Sequence, residues 1–436
     1  MMVSVSGIDS GETSQRVRDW AESGVPALTG YTGGPSLIPP GSAATIARRH
    51  TAYIAAATGD RVRLDGARLL SERAAYTGFT RGGTLSAGRH CRLLPTADGW
   101  AAVSCARPDD PLLLGALVCR DVGNDPWPHV ADWLRTHTGA ELVERAELLG
   151  LAAAPVTTPA EAVDRHTART EPAAAGTSTS DRHSTHIAKT SSVAGFFAPE
   201  TLVPRPVDGL RVVDFSALWA GPLCAHLLGL AGARIIKVET PTRPDGARRG
   251  DPGFYRLLHA GHESVVLDPN DPGQRAALAD LVASADIVIE ASRPRALAGF
   301  GLDARAFADS GGTWLSITAH GRASNRVGFG DDVAAGAGLV ARTADGTPLF
   351  VGDAIADPLT GLTAAALAMS APTGSSGRLW DIAMSSVVAA TLDTGATADP
   401  IEESLIIAPS RRAVTGAAPD SGRDTVSVLT ELGRWP

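Results

Sequence analysis

The stretch LRVVDFSALWAGPLCAHLLGLAGARIIKVE, residues 210–239, decides the fold of this chain. The apolar run LRVVDFS predicts a buried strand, GPLCAHLLGLAG predicts a helix, and ARIIKVE predicts a second strand. Two such strands joined by a helix form a right-handed crossover, so we expect them to be parallel. The turn SALWAGP then lies at the carboxyl edge of the sheet, where ligands usually bind in such folds.

The same alternation continues towards the C-terminus. Strands are predicted over ESVVLD (263–268), DIVIEAS (286–292) and TWLSITA (313–319), with a helix over GQRAALADLVASA (273–285). The chain is therefore predicted to be α/β, with a doubly wound, mostly parallel sheet in a Rossmann-like large domain. Upstream, CRLLPTADGWAAVSC (91–105) predicts two short strands joined by a turn at Asp98-Gly99, which indicates a smaller α+β domain.

Shifts in composition divide the chain further. Residues 167–192 are poor in large apolar side chains and rich in Thr, Ser and Ala, a composition typical of a linker. The expected segments are an N-terminal helical segment (1–80), the small α+β domain with a glycine-rich loop (81–166), a flexible linker (167–204), the Rossmann-like domain (205–380) and a C-terminal strand and tail (381–436).

Composition excludes several classes of protein. A formal net charge of −8 argues against a nucleic-acid surface, and no run approaches the ~18 apolar residues of a membrane span. The start, MMVSVSGIDSGETSQ, lacks the basic and apolar regions of a signal peptide, so we expect a cytoplasmic protein. The cysteines form no CxxC pair, and we expect no metal site; they are Cys91, Cys105, Cys119 and Cys224.

The turn after the first strand is informative about cofactors. SALWAGP has one glycine and a proline in place of GxGxxG, which disfavours an NAD or FAD site. Basic residues do follow several strands, among them Lys237, Arg248 and Arg293. Because the carboxyl ends of parallel strands meet at one edge, these side chains are candidates for binding phosphate groups. The alternative for any one of them is a solvated basic loop.

As a constellation, the motifs resemble those of the class III CoA-transferases, the family of formyl-CoA and carnitine CoA-transferases. The strand–AGP–helix–strand run of 210–239 is similar to the start of that family's large domain, and DGARR (245–249), SVVLD (264–268) and EASRPRAL (290–297) resemble its later elements. IADPLTG (355–361) resembles the stretch that carries the family's catalytic aspartate. The resemblance covers roughly residues 80–160 and 205–436.

The resemblance implies a reaction and a set of site residues. Asp357 would be the nucleophile, forming covalent intermediates while CoA moves from an acyl-CoA thioester to a carboxylic acid acceptor. Coenzyme A would contact the AGP turn at Ala220 and Gly221 and the basic residues Lys237, Arg248 and Arg293. The loop RGGTLSAG, with Gly82, Gly83 and Gly88, would close over the intermediate, or it is a plain flexible connector. The resemblance also implies a homodimer.

The sequence departs from the family's pattern in three places. The small-domain-like residues 81–156 precede the large domain instead of following it, so the order is permuted. GRLWDIAM (377–384) lacks the second glycine and the glutamine of the family's Gly-Arg-Gly-Gln strand, and His262 stands where a lysine or arginine is usual. The permuted order puts the family's interlocked-ring dimer in doubt.

Two other functions remain open. An α-methylacyl-CoA racemase of the same fold needs a histidine where VGFGDDVAAG (327–336) has Asp331, although His320 is a conceivable substitute. A non-catalytic CoA-binding remnant is the second alternative. Asp357 itself also has a local interpretation, since Asp followed by Pro358 is typical of a helix N-cap and first helical residue. Asp353 fits the family's spacing to Gly361 less well than Asp357 does.

Overall fold

In the described part of the chain, the large sheet has seven strands, and all of them are parallel. The computed structural model describes residues 10–162, 190–192, 202–291, 294–370, 377–393 and 403–434. In spatial order the sheet consists of β4 (Thr190–Ser192), β12 (Arg378–Ala383), β9 (Thr313–Thr318), β8 (Ile287–Glu290), β5 (Arg211–Asp214), β6 (Arg234–Glu239) and β7 (Glu263–Val266). The predicted α/β class and parallel sheet are confirmed.

The order of the strands creates a switch point beside β5. The chain runs from β5 to β6 and β7 on one side, then returns to place β8 and β9 on the other side. In doubly wound sheets, ligands bind at the carboxyl ends of the strands where the order reverses. The turn SALWAGP, which follows β5, therefore lies at the expected ligand edge.

Helices cover the faces of this sheet and form the N-terminal part. The helices are Ser10–Ser23, Ala43–Ala57, Gly66–Leu69, Glu72–Thr77, Asp110–Val118, Trp127–Leu134, Gly139–Leu149, Ala220–Leu230, Pro252–His259, Pro272–Ala283, Pro294–Gly299, Ala304–Asp309, Gly330–Gly336, Ala356–Ala368, Met384–Ala389 and Thr425–Glu431. Short 3₁₀ turns occur at Pro26–Leu28, Gly246–Arg249 and Glu403–Leu405. None of the helices in the described ranges combines the length and apolar character that a membrane crossing needs.

The smaller α+β domain has the predicted hairpin. β1 (Cys91–Pro95) and β2 (Trp100–Ser104) are antiparallel, and the connecting turn closes with the Thr96 N–H donating to the Gly99 carbonyl at 2.9 Å. β3 (Ala153–Pro155) pairs with β2 on its other side. One face of this sheet packs on the helix Gly330–Gly336 of the large domain, and two short hairpin strands, β10 (Ala341–Arg342) and β11 (Pro348–Leu349), lie nearby.

The predicted linker and tail contribute to the same sheet. Residues 163–189 and 193–201 of that region lie outside the described residues, and Thr190–Ser192 between them pair with β12. At the other edge, the Ser264 N–H of β7 donates to Asp424 at 2.8 Å, just before the helix Thr425–Glu431. Residues of the predicted linker therefore form one edge strand of the sheet, and a residue of the C-terminal tail hydrogen-bonds the strand at the other edge.

Candidate active site

Asp357 lies near the start of a helix that is buried on every side. The helix Ala356–Ala368 packs against Ala220–Leu230 from the large domain and against Ala43–Ala57 from the N-terminal segment. Gly361 permits the first contact, since a Cβ there would lie 2.6 Å from the Ala220 carbonyl oxygen. A helix of alanine, leucine and threonine has no polar face, so it is stable only when it is covered in this way.

The AGP turn has a packing reason for its small residues. A Cβ on Gly221 would overlap the side chain of Ser216, and Ala220 is the residue that touches Gly361 of the crossing helix. Close approach of the two helices and the strand end therefore requires glycine at 221 and at 361. The predicted contact of Ala220 and Gly221 with coenzyme A remains a prediction.

Asp357 is not the N-cap that the Asp-Pro pair suggests. The helix begins at Ala356 and its N-cap is Ile355, so Asp357 is the second helical residue. Its own N–H donates to the Ala354 carbonyl at 2.9 Å. Ala354 has a positive φ of 44°, a strained conformation for alanine, and the Asp331 carboxylate accepts from its N–H at 2.9 Å.

The carboxylate of Asp357 points towards the helix Gly330–Gly336. The Gly330 N–H hydrogen-bonds it, and a Cβ on Gly330 would overlap the same carboxylate. The residue is largely buried but keeps some exposure. Burial raises the pKa of Asp357 to about 7, with Arg73 opposing this rise and the charges of Asp331 and Asp353 adding to it.

Two further aspartates and one arginine surround this carboxylate. Arg73 forms a bidentate pair with the fully buried Asp353, with nitrogen–oxygen distances of 2.8 and 2.6 Å. Its guanidinium lies 4.7 Å from the ring centre of Trp219. Burial also raises the pKa of Asp331 to about 6, helped by the charge of Asp353. Sequence reasoning missed Arg73, because the residues around it give no signal of a pairing with Asp353.

The glycine-rich loop lies beside this cluster. A Cβ on Gly88 would lie 3.9 Å from the Asp353 carboxylate, and Ser86 hydrogen-bonds Asp331. Gly83 has a positive φ of 68°; its N–H donates to the Gly30 carbonyl at 2.9 Å and its carbonyl accepts from the Phe350 N–H at 3.0 Å. These bonds tie the loop to its neighbours on both sides.

A Cβ on Gly82 would overlap the Leu85 carbonyl, so this glycine permits the tight turn inside the loop. The loop therefore has a defined conformation in this structure. The predicted closure of Gly82, Gly83 and Gly88 over an intermediate remains a prediction.

The basic residues predicted to bind phosphate have protein partners. The Lys237 ammonium is buried and lies 2.8 Å from the Asp245 carboxylate. Arg248 donates to Glu239 from Nε at 3.0 Å. Burial raises the pKa of Glu239, but the hydrogen bonds from Arg248 and the Asp245 N–H and the charge of Lys237 outweigh it, so the pKa of Glu239 is lowered. This geometry lends no support to phosphate contacts by Lys237 or Arg248, and Arg293 lies outside the described residues.

The histidines of the alternative hypotheses lie elsewhere. His262 is buried with its pKa lowered to about 3 by desolvation, so it is not a surface substitute for a cation that contacts ligand. His320 lines a separate cavity of about 130 Å³ together with Arg326 and Ser385, and Asp357 is not part of that cavity. Asp331 accepts from the Ala354 N–H at 2.9 Å and is hydrogen-bonded by Ser86.

Comparison with known proteins finds similarity in the C-terminal part of the chain. Residues 207–419 match the model of CoA-transferase family III. A succinyl-CoA–D-citramalate CoA-transferase of Chloroflexus aurantiacus is 31% identical over 176 residues, which cover 37% of this chain and 44% of the relative. The human succinyl-CoA:glutarate CoA-transferase is 29% identical over 174 residues, covering 37% and 40%.

A solved structure is also similar, that of a CAIB/BAIF family protein from Brucella suis. It is 29% identical with a TM-score of 0.39, and the match covers 43% of this chain and 55% of that one. The chain spans less than half the length of the curated relatives that it matches. Residues 207–419 of this chain match CoA-transferase family III, the family that their motifs resemble.

Proposed function

We propose that this protein transfers CoA from an acyl-CoA thioester to a carboxylic acid, with Asp357 as the nucleophile. The observation that carries the proposal is the placement of Asp357: a partly exposed residue on a helix that packs against the helix after β5, the strand at the switch point, within the residues that match the family. The carboxylate is not used as a helix cap, so its oxygens remain available for attack.

The proposed reaction needs no net proton transfer. A carboxylate oxygen of Asp357 attacks the thioester carbonyl, the carbon–sulfur bond breaks, and CoA leaves as a thiolate from a mixed anhydride. The thiolate then attacks the Asp357 carbonyl of that anhydride, which releases the donor acid and leaves an aspartyl-CoA thioester. The acceptor carboxylate attacks this thioester, and the returning thiolate attacks the acceptor carbonyl to release the new acyl-CoA and regenerate Asp357.

The surroundings of Asp357 suit these steps. The Gly330 N–H already donates to the carboxylate, and a fixed donor of this kind stabilises the oxyanion that forms on the same group. We propose that the phosphates of CoA contact Arg243 and Arg249, which are exposed in the segment after β6, because Lys237 and Arg248 are engaged internally.

Dicarboxylic acids are the substrates to examine first. Relatives of this chain are named for succinyl-CoA paired with D-citramalate, glutarate or L-malate, and others for oxalate. We propose succinyl-CoA as the donor and a dicarboxylate as the acceptor. We also propose that the protein is cytoplasmic and forms a homodimer. Sedimentation of the purified protein tests the homodimer directly.

Trapping the covalent intermediate tests the assignment. The protein is incubated with succinyl-CoA, treated with hydroxylamine, digested and analysed by mass spectrometry. We expect a hydroxamate at Asp357 that is absent from Asp357→Asn and unchanged in Asp345→Asn, a control at an exposed hairpin turn. CoA binding without any adduct favours the non-catalytic alternative.

Exchange of the α-hydrogen of a 2-methylacyl-CoA in deuterated water tests the racemase alternative. Deuterium uptake without transfer of CoA favours a racemase over the proposed transferase. The proposed transferase is expected to give transfer without this exchange.

A further inference from the structure

Arg73 comes from outside the residues that match the family and pairs with Asp353, four residues before the proposed nucleophile. It lies in the helix Glu72–Thr77, whereas the family match spans residues 207–419. The guanidinium is held in place on two sides, by the bidentate pair with Asp353 and by the ring of Trp219 at 4.7 Å. The N-terminal segment thus delivers a fixed positive charge to the site.

The charges around Asp357 are unbalanced. Asp331 from the helix Gly330–Gly336 and Asp353 from the preceding turn act on Asp357 with negative charge, and Arg73 acts with positive charge. Other ionisable groups on the packed elements are directed elsewhere: Asp332 accepts from Ser104, His50 contacts Thr363, and Asp381 accepts from the Arg322 N–H. Arg73 supplies positive charge to all three carboxylates, by direct pairing with Asp353 and through its field at Asp331 and Asp357.

Arg73 does not bond Asp357 directly. The two hydrogen bonds of its guanidinium described above both go to Asp353, so it acts on Asp357 through the field of its charge and through the carboxylate that it neutralises. We infer that Arg73 is a positioning residue for Asp357, neutralising Asp353 so that Asp357 can carry its own negative charge beside Asp331. This inference rests on the proposed role of Asp357 as the reacting group.

The inference predicts shifts of opposite sign for two variants. Arg73→Met removes the positive charge, which makes Asp357 harder to ionise and moves the acid limb of the pH–rate profile upward. Asp353→Asn removes a negative charge and leaves the guanidinium to Asp357, which moves the limb downward. A nearby charge shifts the pKa of a carboxyl group by about one unit or more, so we expect a shift of this size in each variant. A merely structural role lowers the rate without moving the limb.

Each single variant leaves a partner of a buried pair uncompensated, so folding needs its own control. The double variant Arg73→Met/Asp353→Asn removes both charges, and its limb is expected between those of the single variants. Arg73→Lys keeps the charge and is expected to keep the limb within a few tenths of a unit. Arg68→Met removes a more exposed arginine of the same segment and serves as the matched control.

Two readouts separate this inference from the proposed function. The first is the pH dependence of adduct formation with succinyl-CoA. The second is the ¹³C NMR titration of the Asp357 carboxyl, identified by its loss in Asp357→Asn, which needs no activity. Opposite shifts in the titration without any adduct support Arg73 and overturn the proposed function. An adduct whose pH limb is the same in wild type, Arg73→Met and Asp353→Asn overturns the inference and leaves the proposed function standing.

Discussion

Replacement of Asp357 by asparagine should make the protein more stable, and increasingly so as the pH rises. Asparagine has nearly the shape of aspartate and can still accept from the Gly330 N–H through its amide oxygen. It carries no charge, so the repulsion from Asp331 and Asp353 and the cost of burying an ion both disappear. The variant therefore isolates the electrostatic cost of the site from its packing.

The magnitude follows from the pKa of Asp357, which burial raises to about 7 from an ordinary value of 3.8. A carboxyl whose pKa is higher in the folded state binds its proton more tightly there. Its contribution to stability is complete below the unfolded pKa and is lost as the pH rises through the folded pKa. With about 1.4 kcal/mol for each pH unit of that interval, the loss between pH 5 and pH 8 is about 2–3 kcal/mol.

Urea denaturation of both proteins at several pH values between 5 and 8 measures this difference. We expect the advantage of Asp357→Asn over wild type to grow by about 2 kcal/mol across the range. Asp345→Asn is the matched control, because hydrogen bonds from Thr343 and Thr347 lower the pKa of that exposed carboxyl. Its titration is complete below this pH range, so its difference from wild type should be constant.

Parallel stability curves for wild type and Asp357→Asn would refute the reasoning. Such a result would mean that Asp357 is ionised at pH 5 in the folded protein, and that the site solvates the charge as well as water does. A difference that grows towards acid would carry the same meaning more strongly, since it is the sign expected for a carboxylate stabilised by its partners.

Three further substitutions test the packing around Asp357 and the ion pair of Arg248. Gly330→Ala should reduce the trapped adduct at Asp357 at least tenfold, because the new methyl group overlaps the carboxylate; the matching loss of stability in urea should be only about 1–3 kcal/mol. Gly361→Val should lower the urea midpoint by about 3 kcal/mol of stability or more, because the helix can no longer approach Ala220. Arg248→Met should cost about 3 kcal/mol in the same assay by leaving the buried Glu239 unpaired, and a cost below ~1 kcal/mol would refute that role.

The sheet could be predicted from sequence because its strands are buried on both faces. RVVD, RIIKVE and IVIE are short apolar runs between helices, and this pattern is characteristic of a central parallel sheet. The Asp98-Gly99 turn was equally readable, since that dipeptide favours a hairpin. In each case the signal lies within a few consecutive residues, so it can be read without knowing which distant residues pack against them.

The partners of the charged residues could not be predicted in this way. Lys237 and Arg248 follow the pattern of ligand-edge cations, but their side chains pair with Asp245 and Glu239. Which acid meets which base depends on how the chain turns back after β6, and a charge at a strand end is compatible with both outcomes. Arg73 shows the same limit from the other direction, because nothing in LLSERAAYTG indicates that its guanidinium reaches a residue 280 positions away.

The packing of the Asp357 helix shows how both parts of the chain contribute to the candidate site. One face of Ala356–Ala368 is covered by Ala220–Leu230 and another by Ala43–Ala57, so both halves of the chain are needed to bury it. The loop at 81–88 and Arg73 reach the same end of that helix. The candidate site therefore depends on which surfaces meet in space, and residues far apart in the sequence supply them.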